Sequence, residues 1–142
     1  MHRLALLTLD ILMTLEPLLE ASPAIQIHAF AASAAFVLGL AQLAAPKGVT
    51  LHRVMGWSWV ALMVTVAVSS FWIREIKLWG DWSPIHLLSI FALAMLPLGV
   101  FYARRHNVRG HKITMISIFA GALVIAGIFT FVPGRIMNAV VF

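Results

Sequence analysis

An all-α integral membrane protein is the fold this sequence predicts: a four-helix transmembrane bundle built from two duplicated helical hairpins, with an N-terminal amphipathic helix. Three observations predict it. Of 142 residues, 62% are hydrophobic and 11% charged, more apolar surface than a soluble domain of this size can hide in one core. The charges gather in short clusters, leaving four apolar stretches of about twenty residues, the length that crosses a bilayer at ~1.5 Å per residue. Proline and glycine punctuate the ends of those stretches, at Ser22-Pro23, Pro46-Lys47-Gly48, Ser83-Pro84 and Pro133-Gly134.

Residues 1–21 come first. The run 4–19 is apolar but carries Asp10, Glu16 and Pro17 and is too short to span, so it is expected to lie in the membrane surface, with a short fifth span as the alternative. Asp10 sits inside what would be the uncharged core of a signal peptide, which argues against that reading. The four-span bundle occupies 22–135. Its first span, about 24–45, starts at Ser22-Pro23, where proline suits the first turn and serine is a candidate cap. The second covers about 51–73, and the third, about 84–103, opens on a second Ser-Pro and contains Pro97, a candidate kink. The fourth covers about 111–132, leaving 136–142 as a short tail.

Charge orients this bundle. Lys47, Arg53, Arg104, Arg105, Arg109 and Lys112 fall at one end with no acid among them, so by the positive-inside rule that end is cytoplasmic and both termini lie outside. Asp10, Glu16, Glu20, Glu75 and Asp81 collect at the other end, with Arg3, Arg74, Lys77 and Arg135. Trp72, Trp79 and Trp82 are expected at the outer interface, and Trp57 and Trp59 near the inner one. The net charge of +5 therefore reads as orientation and not as nucleic-acid binding. With no cysteine, disulfides, thiolate metal sites and thiol nucleophiles are excluded.

The duplication is read from matched landmarks. His52-Arg53 opens the second span and His111-Lys112 opens the fourth; His28 precedes His52 by 24 residues and His86 precedes His111 by 25, each after a Ser-Pro start. Spans one and three run in the same direction, which puts His28 and His86 at one depth near the outer face. Spans two and four put His52 and His111 together near the inner face. A histidine on a spanning helix is costly unless it is neutral and hydrogen-bonded, and marks a candidate site in the bundle interior. One pair per leaflet is the arrangement that two bis-histidine haems b require, with transmembrane electron transfer as the implied function. Small residues beside the ligands, His28-Ala32-Ala35-Gly39 on one stripe and His52-Gly56 on another, would admit a flat macrocycle, and Arg53, Lys112 and Arg135 could neutralise its propionates. The bland reading is that imidazoles near helix ends meet water and head groups. Met55, Met63, Met95 and Met115 read as packing, and no third ligand is placed to hold zinc or copper with a histidine pair.

This histidine placement is similar to that of the ascorbate-reducible transmembrane cytochromes b, which hold two haems from alternate helices of an antiparallel bundle but use additional helices. A broader resemblance runs from about Ser22 to Arg135: PAIQIHAF, PKGVTLHRVMGW, SSFWI, SPIHLLSI and FTFVPGRIM resemble a family of small bacterial membrane proteins of unknown function, the domain of unknown function 2306 type. That resemblance implies the bacterial inner membrane and carries no activity with it.

Other classes are weaker. No acid or base lies at mid-membrane in any span, which disfavours coupled transport, and no His, Ser and acid set shares a face for hydrolysis. The rival to a cytochrome is a cofactor-free accessory subunit of a larger respiratory or photosynthetic complex, packing through Ala and Gly stripes such as Ala31, Ala35 and Gly39, or Gly121 and Gly127. Its histidines would then meet lipid, quinone or a partner's backbone.

Overall fold

The computed structural model describes residues 14–73, 80 and 83–142. Four helices in it are long and apolar enough to cross a membrane. A short helix, α1, covers 14–19. The candidate spans are α2, Pro23–Ala44; α3, Thr50–Ser70; α4, Pro84–Arg104; and α5, Val108–Thr130, followed by a short α6, Ile136–Val141. Asp10, Arg74, Trp79 and Trp82, on which parts of the interfacial and orientation readings rest, lie outside the described residues.

Apolar side chains turned to lipid cannot drive association in a membrane, so close packing and interhelical hydrogen bonds decide the arrangement. Contacts join α2 to α3, α3 to α4, α4 to α5, and α5 back to α2. The bundle is therefore a closed ring of antiparallel neighbours, with α2 diagonal to α4 and α3 diagonal to α5. Its centre is filled by Ala35, Trp59, Met63, Ala67, Ala92, Leu96, Ile118 and Leu123.

Trp59 belongs to that centre and not to the inner interface. Its indole is 5% exposed, and its Nε1–H donates to the Ala35 carbonyl at 2.9 Å. Trp57, two residues earlier and nearly opposite on the helix, is exposed as an interfacial ring should be. The indole reaches Ala35 because Gly39 presents no side chain: a Cβ there would stand 3.0 Å from Nε1 and 2.5 Å from the Phe119 ring.

Phe119 opens a π-helical stretch, Phe119–Ile125, within α5. Ile118 and Leu123 are both buried although they stand five residues apart. In a regular helix with 3.6 residues per turn they would point in nearly opposite directions; the wider π turn brings them onto one face. The same stretch carries the Phe119 ring onto Phe36, stacked at 5.7 Å and 14°, closing α5 on α2.

The helix ends differ from expectation in two places. The Ser22 side chain makes no cap; Gln26 Nε2 instead donates to the Leu19 and Ala21 carbonyls at 2.7 and 2.9 Å, tying α1 to α2. Pro97, the candidate kink, lies inside α4, which runs as one continuous helix through it. The fourth span begins three residues before the expected His111, because Asn107 caps it by accepting from Gly110 N–H at 2.9 Å. His106, at φ 54°, turns the chain between α4 and α5, in the left-handed region that histidine enters more readily than most residues. At the other basic turn the Lys47 ammonium donates to the Leu43 carbonyl near the end of α2, a favourable place for a cation.

Candidate functional site

Two polar clusters stand at opposite ends of the apolar centre, each with a histidine pair. At the end shared by the α3 C-terminus and the α2 and α4 N-termini, His28 Nδ1 lies 2.9 Å from the Val66 carbonyl and 3.2 Å from Ser69 Oγ. A carbonyl can only accept, so Nδ1 carries the proton in the Val66 bond and the lone pair of the neutral ring sits on Nε2. His86 is arranged the other way round. The Ser83 backbone N–H donates to His86 Nδ1 at 2.9 Å, half of a capping box at the start of α4. Its Nδ1 is thus the acceptor, and the proton of the neutral ring is on Nε2. The ring is 5% exposed and stacks on Phe71 at 5.7 Å. His28 and His86 therefore both pack on the last turns of α3, one from α2 and the other from α4.

Between them the buried hydroxyls of Ser70 and Ser89 hydrogen-bond to each other, joining α3 to α4. Each also lies within reach of a carbonyl of its own helix, Ala67 for Ser70 at 2.7 Å and Ile85 for Ser89 at 2.8 Å. Two hydroxyls have two protons, so one serine satisfies its own helix while the other donates across. Ser89 thus makes an interhelical bond one turn from His86; Ser69 and Ser70 are members that the sequence reading missed. Their signal was polarity within an apolar span.

At the opposite, basic end, His111 Nδ1 donates to the Gly99 carbonyl at 2.9 Å, again leaving the lone pair on Nε2. Gly99 also lies against α5, where a Cβ on it would meet the Met115 side chain. His52 is the odd member. Its electrostatic neighbours are His111 and Lys47, and its Nδ1 is buried with no hydrogen-bond partner. Beside it, Gln42 Nε2 donates to the His52 carbonyl at 2.8 Å, while Gln42 Oε1 is likewise buried without a partner. Two unpaired polar atoms at one end of a membrane bundle are costly, and each calls for a group to meet it. Gln42 was missed by the sequence reading, although a carboxamide inside an uncharged span is the kind of residue that marks an interior site.

The basic residues assigned to this chemistry are distributed unequally. Arg53 and Lys112 are exposed beside the pair at the basic end, while Arg135 is half-buried at the far end, just before α6. The small-residue stripe of α2 is already filled, for Ala35 and Gly39 receive Trp59 and Phe119. Gly56 lies against the Gln42 amide. The matched spacing of the two hairpins does not extend to their bonding: His28 and His86 use Nδ1 in opposite senses, and His111 has the carbonyl partner that His52 lacks. Among the described residues, no group of three or more His, Cys, Asp or Glu side chains is placed to hold a metal ion by itself.

No curated protein and no solved structure matches the chain. The family described as Predicted membrane protein (DUF2306) matches residues 25–141, which takes in all four candidate spans and both histidine pairs apart from the first two residues of α2. The four-helix multi-pass bundle with a histidine pair at each end is thus a member of the DUF2306 family of predicted membrane proteins.

Proposed function

We propose that this bundle is a b-type cytochrome, binding two haems b between diagonally opposite helices, His52 with His111 at the basic end and His28 with His86 at the other. The observation that carries the proposal is the inner pair. His52 and His111 stand in the first turns of the diagonal helices α3 and α5, at the same end of the bundle, the His111 ring is oriented by a carbonyl on Nδ1, and His52 has a buried nitrogen in want of a partner. His28 fits by the same rule as His111. His86 fits only after its ring proton moves to Nδ1, which breaks the Ser83 N–H bond at the start of α4.

The residues' work in this reading is binding and orientation. His28 and His111 hold their Nε2 lone pairs inward through backbone carbonyls, and Arg53 and Lys112 supply positive charge where the inner pair opens to the surface. Arg135 stands at the other end and suits the outer group's propionates. The packed centre around Trp59, Met63 and Leu96 keeps water out between the two ends. A haem held in this way supplies one-electron chemistry, and a pair in series would move electrons across the membrane. On this reading the protein sits in a bacterial inner membrane and exchanges electrons with quinone or with a larger respiratory or photosynthetic complex.

A second reading, a cofactor-free accessory subunit, is favoured by the filled α2 stripe and by the His86 tautomer. The two are separated by colour. Protein purified in mild detergent from cells supplied with haem is expected to give a low-spin b-type spectrum on dithionite reduction, with two haems per chain. His28→Ala and His111→Ala are each expected to lose one of them. A folded, colourless protein would sink the cytochrome and leave the packing subunit.

A further inference from the structure

A groove of about 520 Å³ runs along the outside of the bundle between α3 and α4. Its walls are two helical stripes that repeat every three or four residues. On α3 the stripe is Arg53, Trp57 and Val64; on α4 it is Leu93, Pro97 and Arg104. All but Arg53 line the groove directly, and Arg53 stands one turn above Trp57 on the same face. Each wall is thus apolar along its length and ends in an arginine, and both arginines are at the basic end of the bundle.

Length and charge together say what fits. From Leu93 to Arg104 is eleven residues, about 16 Å of helix, close to half of a hydrocarbon core of roughly 30 Å. The groove therefore spans one leaflet. Arg53 and Arg104 are exposed, and neither has a carboxylate partner among the described residues. All five acids of the chain belong to the other end or to the N-terminal segment. A guanidinium at the membrane surface with no internal anion is matched by a phosphate.

We propose that this groove is a binding site for an anionic phospholipid of the leaflet at the basic end, with an acyl chain along Trp57, Val64 and Leu93 and the head group on Arg104 and Arg53. The proposal shares Arg53 with the haem reading, so its test uses Arg104, to which that reading gives no role.

Trp57, 56% exposed, is a built-in reporter. The full chain and its Trp57→Phe variant are reconstituted into phosphatidylcholine vesicles carrying a fixed fraction of either brominated phosphatidylglycerol or brominated phosphatidylcholine. The Trp57-dependent part of the fluorescence is expected to be quenched at several times lower mole fraction by the anionic lipid, about fivefold for one surface cation. Arg104→Gln is expected to cut the preference about fivefold, leaving only the share of Arg53, and Arg104→Lys to keep most of it, with circular dichroism unchanged in both. Equal quenching by the two lipids in the unaltered protein would mean ordinary boundary lipid and overturn the proposal. So would a preference undiminished in Arg104→Gln, or quenching by an added isoprenoid quinone in place of the anionic lipid.

Discussion

Gly39→Ala adds one methyl group, and the structure specifies what that methyl meets. The new Cβ would lie 2.5 and 2.7 Å from two carbons of the Phe119 ring and 3.0 Å from Trp59 Nε1, against an ordinary carbon contact of about 3.5–4.0 Å. One of the rings has to retreat by about 1 Å. Phe119 cannot do so freely, since it is stacked on Phe36 and held at the start of the π turn. Overpacking of this kind costs about 1–3 kcal/mol. If the indole yields instead, its bond to the Ala35 carbonyl goes with it, about 0.6–1.7 kcal/mol in a membrane. Alanine returns about 1 kcal/mol of helix propensity, leaving a net loss of about 1–3 kcal/mol. Two further glycines serve as controls. At Gly127 a Cβ meets nothing within 4 Å, so only the propensity gain remains. At Gly99 it meets the tip of Met115, a flexible side chain that can swing aside, and Thr114 Cγ2 at 3.3 Å, which has to give by only a few tenths of an ångström, so the cost is about 1 kcal/mol. Thermal unfolding in one detergent, followed by circular dichroism and tryptophan fluorescence, should therefore rank Gly127→Ala highest, Gly99→Ala near the unaltered protein, and Gly39→Ala lowest. A Gly39→Ala protein that melts with Gly127→Ala would refute the placement of Trp59 and Phe119 against α2.

Trp59→Phe keeps most of the ring volume in the core but removes the donor to Ala35, and is expected to lose about 0.6–1.7 kcal/mol in the same melts; Trp57→Phe, on the lipid face, is expected to lose almost nothing. Ser70→Ala and Ser89→Ala each remove the bond that joins α3 to α4, so their effects should not add. The double variant is expected to melt within about 0.5 kcal/mol of the worse single, and an additive result would show that the two hydroxyls do not share a proton.

Hydrophobicity and punctuation located the spans because both are local. A long apolar run bounded by Pro-Gly or Ser-Pro signals needs no knowledge of a partner, and the three helices whose starts carry such a signal begin within one residue of the expected place, while the fourth, which has none before it, begins three residues before the expected His111. What was not legible depends on which neighbour occupies which face. Trp57 and Trp59 are alike in the sequence, yet one meets lipid and the other the Ala35 carbonyl, a difference made by Gly39 on another helix. The π turn in α5 was equally hidden, since in an all-apolar stretch no periodicity records that Ile118 and Leu123 must face the same way. The site divides along the same line. The four histidines could be found by spacing, because topology alone sets their depth. The proton positions could not, because Nδ1 of His28 and His111 is fixed by carbonyls on neighbouring helices and Nδ1 of His86 by its own helix cap. Ligation by His86 would require a proton shift and the loss of that cap, a cost that His111 does not bear. The two ends of the bundle are thus chemically unequal despite their matched spacing, and the basic end, where Gln42 and His52 each keep a buried atom unpaired, is the one best prepared to receive a ligand.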